Sequence, residues 1–244
     1  MSLGENYEET YEKASLINQQ NDCTEVEFFA NLINGKKKVL DIGCAEGVLC
    51  MLLAHRGHDV TGSDISNNFL NKVLVASKMC NENIKTIKCD IENTIKPFKN
   101  IKYDVIYLMD VIEHLRNPVE ALVNIRKLIT DDGQFFIHTP NVFTINKFLR
   151  YLIKPKKIVN NFNIIHDLHV VAYDLDSLNK LLNFVGFKIT KHIPTNFSLP
   201  IVGKLNIFKY LWPSFNDTLL IECKKCEPID TNKLIEEWNN EYNK

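Results

Sequence analysis

A chain of 244 residues, 45% of them hydrophobic and with a net charge of −1, can bury one substantial core. No uninterrupted apolar run approaches bilayer length, which excludes a long membrane-spanning helix, and the acidic start (Glu5, Glu8, Glu9, Glu12) lacks the basic and apolar parts of a signal peptide. Seven cysteines, an odd number without framework spacing, exclude a disulfide scaffold and fit a soluble, cytoplasmic protein.

Residues 5–34 read as helical, anchored by Tyr7, Tyr11, Leu16, Val26, Phe28, Phe29, Leu32 and Ile33. An apolar strand from Val39 then meets Asp41, two glycines four positions apart (Gly43 and Gly47), and the helix-like run Val48 to His55. Glycine at a strand end lets the backbone turn tightly and approach a ligand, because no Cβ intervenes. A helix start beyond it offers free N–H groups. The dinucleotide pattern G-x-G-x-x-G is not met, since Ala45 stands at its middle glycine.

Val60 to Ser66 reads as a second strand ending in Asp64, 21 positions after Gly43. Asn67 or Asn68 is expected to cap a helix to about Cys80. Ile84 to Cys89 is a third strand followed by Asp90-Ile91. Tyr103 to Met109 is a fourth, nearly all apolar, as a strand covered on both faces should be. Pro118 suits the first turn of a helix through Leu128 with Asn117 as cap. Asp132 to His138 reads as turn plus strand. Asn141 to Tyr173 looks like an insertion, with Phe148, Leu149, Tyr151 and Leu152 spaced for a short helix. Asp174 can cap a helix from Leu175 to Phe184, ended by Gly186, before a strand from Phe187 to His192. Phe197 to Trp212 reads as a lid or pocket wall, Leu219 to Cys223 as a terminal strand, and Thr231 to Tyr242 as a polar surface helix. This β-then-α alternation favours an α/β domain.

The acidic-x-G-x-x-x-G loop, the acid after strand two, Asp90-Ile91 after strand three and the apolar fourth strand together resemble class I S-adenosylmethionine (AdoMet) methyltransferases, in particular the ubiquinone-biosynthesis O-methyltransferase-like branch. The resemblance is close over residues 37–141. It implies a Rossmann-like α/β fold with a seven-stranded, mostly parallel sheet and helices on both faces. Residues 1–244 would then form one methyltransferase domain. An N-terminal helical cover (1–36), an AdoMet-binding core (37–141), substrate-side segments with a lid (142–216), and the last strand with a tail (217–244) would make it up. The cofactor residues implied are Asp41, Gly43, Cys44, Gly47, Asp64, Ile65, Asp90, Ile91 and Met109. Asp64 would accept the ribose hydroxyls, and Asp90 the adenine amino group. Tyr11 is a candidate for a helix folded over the cofactor.

Methyl transfer to an alcohol needs the acceptor's proton removed, and histidine is the usual base near neutral pH. Met109-Asp110-Val111-Ile112-Glu113-His114 follows strand four, and a helical turn there would put Asp110, Glu113 and His114 on one face. His166-Asp167-Leu168-His169 comes later. D-x-x-E-H with a downstream histidine also resembles the small-RNA 2′-O-methyltransferases, whose E-x-x-E-H and later histidine hold a divalent metal. His169 is the matching position. His114 and His169 are the candidates for acceptor chemistry, and the preferred reading assigns no metal. His55, His58 and His192 read as surface or structural, and His138 has no evident partner.

Charge is uneven: residues 1–132 carry −5, residues 133–216 carry +7 and residues 217–244 carry −3. Lys147, Arg150, Lys154, Lys156 and Lys157, then Lys188, Lys191, Lys204 and Lys209, could attract an anionic acceptor or simply form a solvated basic face. The expected acceptor is a small, anionic metabolite methylated at oxygen, for example a polysaccharide precursor or a quinone-type phenol. One alternative is an RNA 2′-O-methyltransferase with a divalent metal, although no aromatic-basic stacking platform is evident and no stable nucleic-acid partner is expected. The other is a non-catalytic AdoMet-binding subunit.

Overall fold

The computed structural model describes residues 23–144, 170–195, 198–199, 203–204 and 216–228. The chain divides into two compact units, up to Asp90 and from Ile91 onward. It carries a seven-stranded, mostly parallel sheet.

In the first unit, α1 (Cys23–Ala30) precedes β1 (Lys38–Ile42), α2 (Val48–His55), β2 (Asp59–Asp64), α3 (Asn67–Met79) and β3 (Ile84–Lys88). The strands lie in the order β3-β2-β1, all parallel, with Asp41 opposite Gly62 and Asp64 opposite Lys88. Val39, Leu40, Leu53 and Val60 are fully buried between the layers. The expected helix over 5–34 is helical in its described part only from Cys23 to Ala30, and residues 5–22 fall outside the described residues. The cap of α3 is Ser66, one residue before the expected asparagines. Its hydroxyl takes the Phe69 amide at 3.3 Å, and Asn67 is already helical.

In the second unit, β4 (Tyr103–Met109) leads through a 3-10 turn (Ile112–His114) to α4 (Pro118–Leu128) and β5 (Ile129–Pro140). After the insertion come α5 (Leu175–Phe184), β6 (Phe187–Ile193), a hairpin of β7 (Ser198–Leu199) and β8 (Gly203–Lys204), and β9 (Thr218–Lys225). The order is β4-β5-β9-β6. Of these, β9 inserts antiparallel to both neighbours, with Pro140 opposite Thr218 and His192 opposite Ile221. Strand β4 is as apolar as its burial requires, and Tyr103 and Val105 to Leu108 are sealed from solvent. Tyr107 stacks on Phe136 at 5.1 Å, and Phe135 lies 4.9 Å from Phe187.

Asn117 caps α4 through the Glu120 amide, and Asp174 with Ser177 forms a reciprocal capping box on α5. Such caps contribute about 1 kcal/mol each. Strand β5 begins earlier than its sequence suggests. The register slips between Tyr103 opposite Ile129 and Val105 opposite Gln134, so the turn residues Asp131 to Gly133 sit inside an irregular strand. Cys223 is buried on β9, and neither it nor Cys226 is in a disulfide. Among the described residues no helix is long and apolar enough to cross a membrane.

Candidate functional site

Within the first unit, the loop after β1 is built from left-handed backbone. Gly43 (φ 72°), Ala45 (φ 44°) and Gly47 (φ 79°) bring the chain round in five residues, and Gly47 starts α2. A Cβ on Gly47 would meet Val73 at 2.6 Å, so a side chain there is excluded by both conformation and space. The Gly43 and Cys44 amides donate to the Ser63 carbonyl at 2.7 and 3.0 Å, which pins the loop to the end of β2.

Asp64 closes this arrangement. One carboxylate oxygen takes the Ala45 amide at 3.0 Å and the other the Ser66 amide at 2.8 Å. Beside it Ile65 is 45% exposed, an apolar side chain presented to solvent next to a buried carboxylate, as a flat ring would require. Cys44 and Cys50 pack against Gly62, each sulfur 3.0 Å from where its Cβ would be. Asp90 ends this unit half-buried. Ile91 opens the second unit buried, its carbonyl taking the Asn124 amide group at 2.9 Å, and Met109 ends β4 half-buried.

Asp41 is buried with the Cys50 thiol donating to it at 3.3 Å, and burial pushes its carboxyl up to about 7. Its ordinary value is 3.8, so the folded state holds a proton that the unfolded chain releases. Stability contributed by that proton is complete below about pH 4 and lost as pH rises through about 7. Asp41→Asn should therefore flatten the pH dependence of the melting temperature between about pH 4 and 7. A wild-type slope in that variant would show that Asp41 is not the group responsible.

The residues expected on the acceptor side belong to the second unit, and the structure corrects the expected one-face geometry. Asp110 has φ 53° and a 3-10 turn follows it, so Asp110, Glu113 and His114 are not spaced as on an α-helix. Asp110 instead bonds across to the end of β5. Its carboxylate lies 2.9 Å from His138 Nδ1, and its amide donates to the His138 carbonyl. Glu113 is 2% exposed and accepts from the Thr139 hydroxyl at 2.9 Å. Burial, then Asp110, pushes its carboxyl up to about 7. His114 ends the turn half-buried. His169 and His166 fall outside the described residues. The described chain resumes against this turn, because the Val170 and Val171 amides both donate to the Glu113 carbonyl.

Thr139 and Tyr173 are residues the sequence did not single out, and His138, named there without a partner, gains one in Asp110. Strand alternation puts His138 and Thr139 on opposite faces of β5, but only the β4–β5 register shows that one reaches Asp110 and the other Glu113. His55 is exposed and paired with Glu82, and His58 is buried and accepts the Lys37 amide, as expected. His192 lines a cavity of about 590 Å³ with Phe143, Asp174, Leu175, Asn179 and Ile189, and burial lowers the pKa of its imidazole. Among the described residues no group of three or more His, Cys, Asp or Glu is placed to hold a metal ion. Of the basic block, Lys191 pairs with Glu222 and Lys180 with Asp176. Lys147, Arg150, Lys154, Lys156, Lys157 and Lys209 fall outside the described residues.

A family model described as a methyltransferase domain matches residues 17–192. The chain belongs to this methyltransferase family. It is 31% identical over 106 residues to a ubiquinone biosynthesis O-methyltransferase of Saccharophagus degradans, covering 43% of this chain and 44% of that protein. It is 37% identical over 112 residues to the protein of the same name from Glaesserella parasuis, covering 43% and 46%. The match thus spans less than half the length of these curated relatives. The crystal structure of magnesium protoporphyrin IX methyltransferase from Synechocystis PCC 6803, with SAH bound, superposes with a TM-score of 0.57 at 17% identity over 86% of this chain and 84% of that one. The methyltransferase domain here therefore has the fold of AdoMet-dependent enzymes, and its glycine loop and Asp64 suit that cofactor.

Proposed function

We propose that this protein is a cytoplasmic AdoMet-dependent methyltransferase that methylates an oxygen of a small acceptor, with residues 1–244 acting as a single methyltransferase domain. The observation that carries this reading is the glycine loop after β1 closed by the Asp64 carboxylate at the end of β2, beside the exposed Ile65. Asp41, Gly43, Cys44, Gly47, Asp64, Ile65, Asp90, Ile91 and Met109 would hold the cofactor. When bound, AdoMet supplies an electrophilic methyl group on a sulfonium.

What the chain supplies is placement and proton removal, and placement alone can account for much of the rate of an in-line displacement. His114 and His169 are proposed to take the acceptor's proton. The partnership of Asp110 with His138, and of Glu113 with Thr139, gives one oxygen of each carboxylate a protein partner and supports proton transfer without a metal. The names of the curated relatives support oxygen as the acceptor atom.

Incubation with AdoMet and a panel of phenols, sugars and sugar phosphates should yield S-adenosylhomocysteine together with a methyl ether identified by mass spectrometry. Transfer to nitrogen or carbon only would overturn the O-methylation reading. Tight AdoMet binding with no turnover on any acceptor would favour the non-catalytic subunit. The acceptor is further proposed to be anionic, on the +7 charge of residues 133–216. Reversing Lys154, Lys156 and Lys157 to glutamate should raise the acceptor KM several-fold at low salt, with the effect shrinking at high salt. An unchanged KM would return these lysines to a solvated face.

A further inference from the structure

Strand β6 lies at the edge of the sheet and carries a β-bulge. Ile189 stands opposite Cys223 on β9 and Lys191 opposite Glu222, so Thr190 is an extra residue in the ladder. Its hydroxyl donates to the Glu222 carbonyl at 3.1 Å, which fastens the bulge to β9. Ile189 and His192 are three positions apart and would point to opposite faces of a regular strand. The extra residue resets the alternation, and both side chains line the 590 Å³ cavity. Lys191 pairs instead with Glu222 at 2.7 Å.

A second wall is the start of α5, which contributes Asp174, Leu175, Asp176 and Asn179. This wall is firm, because the capping box closes the helix at Asp174 and Leu178 and Leu182 anchor it in the core. Phe143 completes the lining. Its amide donates to Asn141 Oδ1 at 3.0 Å, and its ring is presented at 49% exposure. The volume falls in the range of small-molecule sites, about 300–1,000 Å³, and bulges recur where a strand must aim a side chain into such a site.

The lining discriminates by charge. Asp174 and Asp176 supply it, and among the described residues no lysine or arginine lines the cavity. Hydrogen bonds from Ser177 hold the Asp174 carboxyl below the usual carboxylate range, so it is ionised at neutral pH. Burial lowers the pKa of His192, so its ring adds no positive charge there. Lys180 reaches Asp176 at 2.6 Å, but both side chains are 75% exposed, and a surface pair of this kind is weak and screened by salt. The cavity is thus negative within a stretch, residues 133–216, whose net charge is +7.

We propose that this cavity binds an amine, with the ammonium group at Asp174 and Asp176 and an apolar or aromatic body against Phe143, Leu175 and Ile189. An ammonium group only donates, which matches two carboxylates and the carboxamide oxygen of Asn179. The face of the Phe143 ring also attracts a cation. An anion would meet two carboxylates with no cation in the lining. The ligand is therefore distinct from the anionic acceptor proposed above, and the site stands whichever atom that acceptor offers for methylation.

The test uses the full chain and three probes of one shape and different charge: 2-phenylethylamine, 2-phenylethanol and phenylacetate. Ligand-observed saturation-transfer NMR at low salt should rank them amine, alcohol, acid, with the lead of the amine shrinking at high salt. Asp174→Asn with Asp176→Asn should weaken the amine about three- to tenfold and leave the alcohol unchanged. Asparagine also caps helices, so this double variant should stay folded. Ile189→Trp, which fills the cavity, should abolish binding of amine and alcohol alike. Absence of amine binding, equal or tighter binding of phenylacetate, or an amine affinity untouched by the double variant would overturn the proposal. Should Ile189→Trp unfold, as its melting curve would show, the double variant and the charge series still decide. Binding is read without cofactor or turnover, so failure here leaves the methyltransferase reading where it stands.

Discussion

Asp64→Ala should weaken AdoMet about 100-fold, more than any other single carboxylate replacement in the first unit. Two losses combine. A carboxylate accepting charged hydrogen bonds from a ligand contributes about 1.5–3 kcal/mol. The same carboxylate also receives the Ala45 and Ser66 amides, so its removal leaves two loop N–H groups without a partner and releases the turn between Gly43 and Gly47. Asp64→Asn separates the two, because a carboxamide oxygen can still receive one of the amides while the charge is gone. Titration calorimetry should place Asp64→Asn between wild type and Asp64→Ala. Wild-type affinity in the alanine variant would remove Asp64 from the cofactor site.

The loop and strand-end residues proposed to hold the cofactor were legible because their signals are local. Asp41, Gly43, Gly47 and Asp64 lie at strand ends set by runs of apolar residues, and positive φ at two of them demands glycine whatever the rest of the fold does. Strands β4, β6 and β9 were readable for the same reason: their apolar runs end at turn residues. The arrangement around the residues proposed for the acceptor side depends on register. That Asp110 meets His138, and Glu113 meets Thr139, follows from Met109 standing opposite His138 across parallel strands, a pairing that no spacing along the chain encodes. The 3-10 turn after Asp110 was missed because the i, i+3, i+4 pattern there was taken as a helical face. The left-handed Asp110, held by its amide bond to the His138 carbonyl, breaks that periodicity at its first residue.

His114→Ala and His169→Ala should each lower kcat by about 10²–10⁴, the span for a general base that takes a proton in the transition state, while AdoMet affinity stays within a few-fold of wild type. For these histidines to serve one acceptor, the chain after β5 must return to the end of β4. It does so where the Val170 and Val171 amides meet the Glu113 carbonyl, directly after position 169. A metal would achieve the same end differently, by holding the hydroxyl and lowering its pKa, and would need Asp110 and Glu113 as ligands. Asp110 Oδ1 is instead bonded to His138 and Glu113 Oε2 to Thr139, so a metal would have to share both carboxylates with those partners. Treatment with a chelator is therefore expected to leave kcat nearly unchanged, and the pH–rate profile should lose its acidic limb in whichever histidine variant removes the base. Loss of activity on chelation, restored by one particular divalent ion, would replace the proton-transfer mechanism with a metal-assisted one. Unchanged kcat in both variants would remove the histidines from the chemistry and turn attention to His138, the other imidazole at this end of the sheet, already oriented by Asp110.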